Sequence, residues 1–151
     1  MKKLRSAVII LAAAALAFAS CAFAGHRDTR YHLDVRTDLN LSRRQLARKV
    51  WKAAQTAARR RGFRIEEKLF FDEDREDDYV SPDVILYEIE MGEIKSRYGD
   101  SDLELHVRCR KADKAILSAT LTWEAEDDQS RHAALYDALA AQTDLFIPPA
   151  K

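Results

Sequence analysis

Five carboxylates between residues 72 and 83 have a spacing that could hold a metal ion. Asp72, Asp74, Glu76, Asp78 and Asp83 fall at relative positions 1, 3, 5, 7 and 12, the offsets at which an EF-hand loop presents hard oxygen ligands to calcium. The match is incomplete. Asp77 stands where the turn of such a loop needs glycine, Asp83 replaces the bidentate glutamate, and no helical pattern leads in. The stretch is therefore read first as a flexible acidic loop closed by Ser81-Pro82, with Asp72, Asp74, Glu76 and Asp78 as weak candidate ligands.

A second cluster has the opposite sign. From Ser42 to Arg64 the chain carries nine cations and no carboxylate, whereas from Glu66 to Glu104 it carries 15 carboxylates against four cations. A formal net charge of zero thus hides a segregated molecule. Arg43, Arg44, Arg48, Lys49 and Lys52 are the candidate partner- or anion-binding residues, suited to phospholipid headgroups or lipopolysaccharide phosphates, or to an envelope protein partner. The competing account is a solvated helix face paired with the chain's own acidic stretch.

The remaining chemistry-bearing residues give weaker signals. Cys109 sits on the apolar side of an alternating stretch, which reads as a buried, inert thiol. His32 and His106 share a polar face, and His106 is expected beside Glu93. If the chain is cleaved before Gly25, its free amine and His26 could chelate copper, as many peptides of this kind do. G-x-S-x-G, H-E-x-x-H, C-x-x-C, Walker and dinucleotide motifs are all missing, so neither an enzyme nor a cofactor is expected.

These groups must be positioned by a small set of elements. Lys2, Lys3 and Arg5 precede the 13 apolar residues Ala7 to Ala19, a run too short to span a bilayer and suited to an export signal. Two processing sites follow. Ala22-Phe23-Ala24 would release a soluble periplasmic domain over 25–151, after a signal of residues 1–24. Phe18-Ala19-Ser20-Cys21 resembles a lipobox, which would remove residues 1–20 and anchor the protein to the membrane through a lipidated Cys21. Either way, no further stretch is apolar enough for a transmembrane segment.

Beyond the signal, periodicity predicts one domain. Residues 30–37 alternate as a strand. Ser42 and Gln45 form a capping box that opens a helix, and Gly62 closes it. Phe63, Ile65, Leu69 and Phe71 alternate as a second strand, and residues 84–98, 102–111 and 115–125 read as three more. A two-residue turn at Gly99-Asp100 with a bulge at Gly92 would set Glu90 opposite Arg108 and Glu88 opposite Arg110. A last helix is expected from about Ser130 to Leu145. The order β-α-β-β-β-β-α implies an α+β two-layer sandwich, a mostly antiparallel sheet of about five strands with both helices on one face. In layout this resembles the small α+β lipoproteins that accompany outer-membrane assembly machines, a likeness without a shared motif.

Together these readings lead to a non-enzymatic bacterial cell-envelope binding or assembly-accessory protein. It would act through charge-segregated surfaces on an envelope protein or an anionic lipid surface. Export argues against nucleic acid as the target. The alternative is a soluble periplasmic binding protein for a small ligand, with a pocket between helices and sheet lined by Trp51, Trp123 and Phe63.

Overall fold

Thr29–Val35 forms the first strand, β1, because Leu33 and Val35 alternate inward against polar neighbours. The computed structural model describes residues 29–65, 72–77, 81–96, 99–126 and 128–150. The signal and lipobox readings, with Cys21, Gly25 and His26, lie outside the described residues, as do Leu69, Phe71 and Asp78.

Helix α1, Arg43–Arg60, starts and stops as its sequence dictates. Ser42 Oγ accepts from the Gln45 N–H at 3.3 Å, and Gln45 Oε1 accepts from the Ser42 N–H at 2.9 Å. At the other end Gly62 takes φ 77°, which a side chain would resist. Its N–H bonds to the Arg59 carbonyl at 3.1 Å, and that of Phe63 to the Ala58 carbonyl at 3.1 Å. This is the paired bonding of a Schellman stop. Leu46, Ala47, Val50, Trp51, Ala54, Ala57 and Ala58 are buried along one stripe. Burying a side chain the size of Leu46 or Val50 stabilises the packing by about 1.5–3 kcal/mol.

Among the described residues the further elements are β2 (Arg64–Ile65), β3 (Asp72–Asp77), β4 (Val84–Lys95), β5 (Asp100–Arg110), β6 (Ile116–Ala125) and helix α2 (Gln129–Ala140). All strand pairings are antiparallel, in the order β1-β6-β5-β4-β2, with β3 also on β4. The fold is an α+β sandwich with an open, six-stranded sheet. The helices cover its apolar side, where Ile85, Ile89, Met91, Leu105, Val107, Leu121 and Trp123 are buried. No helix among the described residues is long and apolar enough to cross a membrane.

Four expectations need correction. Residues 72–77 are an edge strand paired with Ile85–Glu90 rather than a flexible loop. The β-sheet ladder on β4 supplies backbone partners that a solvated acidic loop would lack.

The β4–β5 register is displaced by four residues. Glu90 stands opposite Glu104, Glu88 opposite His106 and Glu93 opposite Asp102. The chain turns through a longer loop, in which the Ser96 N–H bonds to the Gly99 carbonyl at 2.9 Å and pairing resumes at Lys95 and Asp100. An even slip leaves every side chain on its original face, so the apolar alternation is equally satisfied by both registers. The expected bulge does occur, between Glu90 and Gly92.

Near the start of β6 a second irregularity pairs Cys109 with Ile116 and leaves Leu117 43% exposed, although the alternation of Leu117, Ala119, Leu121 and Trp123 predicts all four on the apolar face. Finally, α2 stops at Ala140. The chain turns so that Leu145 and Phe146 enter the core, with Phe146 bridged to Val35. The Arg36 N–H bonds to the Leu145 carbonyl at 2.8 Å, and the Ile147 N–H to the Asp34 carbonyl at 2.9 Å. Those bonds to the β1 edge require an extended backbone that a longer helix would deny.

Candidate functional site

Among the described residues, the outward face of α1 is strongly cationic. Arg44, Arg48, Lys49, Lys52, Arg59 and Arg60 are all exposed on it. At 100° per residue they fall within less than half the helix circumference, opposite the buried stripe. No carboxylate lies anywhere along α1. This composition works against the helix itself. Arg44 in the first turn opposes the positive end of the macrodipole. Arg44 with Arg48, and Arg48 with Lys52, are like-charged neighbours at i,i+4, each destabilising by about 0.2–0.5 kcal/mol.

Arg43 does not belong to that face. It is half-buried, its Nη2 lies 2.7 Å from Glu73 Oε1, and its guanidinium carbon lies 3.6 Å from the Tyr87 ring centroid. Burial alone would lower its pKa. The hydrogen bond and charge of Glu73 outweigh that and raise it above the usual arginine value. Of the five predicted binding residues, four thus share an exposed surface and the fifth is a structural tie between α1 and β3. The self-pairing between basic helix and acidic stretch is met at this tie.

Cys109 is a free, fully buried cysteine. Burial pushes its thiol pKa up, against the opposing pull of Arg43. The sequence gives no sign of a cation near this thiol, because Arg43 reaches it from the far end of another element.

On the opposite side of the sheet, the uncovered face is polar and reads in rows across the strands. One row runs His32, Thr122, Glu104, Glu90, and the next Asp34, Thr120, His106, Glu88, Asp74. His32 and His106 are therefore separated by β6. His106 lies between Glu104, at 3.2 Å from Nε2, and Glu88, at 3.6 Å from Nδ1, instead of beside Glu93. Thr120 Oγ1 donates to Asp34 at 3.0 Å. A depression of about 480 Å³ opens on this face, bordered by Arg30, His32, Asp102, Glu104, His106 and Glu124. Burial, then the charges of Glu93, Glu104 and Asp100, raise the Asp102 carboxyl above the usual aspartate range.

Of the candidate calcium ligands, Asp72, Asp74 and Glu76 lie on a strand and not in a loop, and Asp78 lies outside the described residues. Residues 72–77 are extended, and Asp74 and Glu76 are exposed on an edge strand. Among the described residues no group of three or more His, Cys, Asp or Glu is placed to hold a metal ion.

Trp51, Trp123 and Phe63 are buried in the core. Trp51 fills the space over Gly92, where an added Cβ would lie 2.6 Å from its Cη2. Trp123 stacks on Tyr31 with centroids 5.0 Å apart and donates from Nε1 to His132 Nδ1 at 3.3 Å. Phe63 lies 4.8 Å from the His132 ring. These aromatic rings pack on one another and on the backbone. Sequence reasoning had missed His132, whose burial at 1% exposure is set by the α2–sheet packing. Compared with protein families, with curated proteins and with solved structures, the chain finds no match.

Proposed function

We propose that this chain is a non-enzymatic binding module of the bacterial cell envelope, which docks on anionic lipid surfaces through the outward face of α1. The observation that carries the reading is the face of six exposed cations on α1, a helix that contains no carboxylate. Cations that cost the helix stability are expected where an external anion repays them. Each Lys or Arg near an anionic leaflet contributes about 1 kcal/mol, screened by salt. The envelope setting rests on the signal-like pattern of Met1 to Ala24.

The test is co-sedimentation with phosphatidylglycerol vesicles, with phosphatidylcholine vesicles as control. Binding to the anionic vesicles should fall steeply with salt. Replacing both Arg48 and Lys52 by Gln removes about 2 kcal/mol, so it should weaken binding about 30-fold. Unchanged binding in that variant, or equal binding to both vesicle types, would sink the reading.

A further inference from the structure

Helix α2 is weakly specified by its own local chemistry. It has 12 residues, a length at which an isolated helix is marginal in water. Its N-cap, Asp128, takes φ 44°, in the left-handed region that side chains rarely adopt. The Asp128 side chain caps no backbone N–H and lies instead 3.0 Å from Arg131 Nε. Packing must therefore hold the helix, through its three buried residues His132, Leu135 and Leu139.

His132 is the titratable member of that set, and its main polar contact fixes where its proton sits. An indole N–H can only donate. The 3.3 Å contact from Trp123 Nε1 to His132 Nδ1 thus requires Nδ1 to accept, which puts the proton of the neutral ring on Nε2. A second proton can enter only at Nδ1. There it would face the indole N–H, donor against donor, and deprive a buried N–H of its acceptor. With His132 only 1% exposed, bulk water is not at hand to solvate the added charge.

The groups around the ring come from every neighbouring element. Trp123 comes from β6, Tyr31 from β1 at 6.4 Å between centroids, and Phe63 from the segment after α1 at 4.8 Å. Within α2, Arg131 pairs with Asp128 and stands over the Phe63 ring, and Tyr136 and Asp137 follow one turn later. From the end of α1, Arg61 Nε donates to the Ala134 carbonyl at 2.8 Å. Arg30 and Glu124, the charged neighbours on β1 and β6, pair with each other on the uncovered face.

We propose that His132 is an acid-sensitive latch. Neutral, it holds α2 on the sheet through Trp123, and once it is charged α2 lifts away while the sheet and α1 stay folded. A released histidine titrates at its ordinary value of about 6.5. Because the closed form holds the neutral ring, the latch is fully effective above that value and is lost as pH falls through it. The chain on either side of α2 stays anchored, by Ala125 in β6 and by Leu145 and Phe146 against β1, so α2 can open as a unit. None of these groups lies on the outward face of α1, so the latch operates whether or not the protein docks on lipid.

Hydrogen exchange of the full chain at pH 7.5 and pH 5.5, corrected for intrinsic rates, tests it. Over that interval the released ring goes from mostly neutral to mostly charged, so protection of the α2 amides should fall about tenfold. Protection of the β4, β5 and β6 amides should not fall with it. His132→Asn keeps an acceptor for Trp123 Nε1 but cannot be charged, so its α2 protection should be the same at both values. A nitrogen-15 spectrum of the wild-type imidazole at pH 7.5 gives a second reading that needs no variant, with the proton expected on Nε2. Equal α2 protection at both pH values in the wild type, loss of protection across the whole sheet, a pH effect that survives in His132→Asn, or a proton on Nδ1 at pH 7.5 would each overturn the proposal.

Discussion

Arg43 and Arg48 are one helical turn and a fraction apart on α1, yet they do different work. The Arg43 side chain is 26% exposed, rests on the Tyr87 ring and pairs with Glu73, itself 20% exposed. Removing one partner of such a pair strands the other in a poorly hydrated site, which costs about 1–3 kcal/mol. Arg43→Met should therefore lower unfolding stability by about that amount in denaturant titration, and by clearly less when Glu73→Gln is already present. Arg48→Met should change stability by no more than about 0.5 kcal/mol, because it removes an exposed charge from a repulsive stripe. Equal costs for the two would contradict the assignment of Arg43 to the structure and Arg48 to the surface.

At the scale of elements, the α1–β4 contact depends on Gly92. Its φ of 150° is open to glycine and strained for other residues, and the bulge it occupies lets the Trp51 ring approach the backbone. Gly92→Ala adds a clash with the Trp51 ring to the backbone strain, and each effect costs about 1–3 kcal/mol. The expected outcome is a loss of about 2–6 kcal/mol in denaturant unfolding, partly recovered by trimming Trp51 to Leu in the same chain. An Ala variant as stable as wild type would show that the bulge can rearrange. The site of this bulge was legible in the sequence, since glycine interrupts an otherwise continuous alternation. The β4–β5 turn was not legible. Two hairpin loops differing in register by four residues bury the same side chains, and exposed ion pairs of well under about 1 kcal/mol do not choose between them.

For the molecule as a whole, the partial burial of the Asp102 carboxyl, with the charges of Glu93, Glu104 and Asp100 beside it, makes stability depend on pH. The Asp102 carboxyl is raised in the folded state. Its favourable contribution is thus fully present below the usual aspartate value and is lost as pH rises through the folded value. Asp102→Asn should therefore stabilise the protein at pH 7 and have little effect at pH 3, read as thermal melting at both values. A variant less stable than wild type at pH 7 would show that the ionised Asp102 is held by attractive partners instead of repelled.

The sequence by itself determined the two-layer α+β layout, the caps and buried stripe of α1, the burial of Cys109 and the segregation of charge. Each of these depends on local chemistry or on a period of 2 or 3.6 residues, which a single stretch of chain displays. Tertiary structure alone decided that Arg43 leaves the basic face for Glu73 and Tyr87, and that residues 72–77 are a paired edge strand. It also decided that Glu90 meets Glu104, that Leu117 turns outward and that His132 is buried on Trp123. Those outcomes turn on which distant elements lie side by side. Alternation fixes the face a residue occupies, but the partner it meets there is set by loop geometry and by packing across the whole sheet.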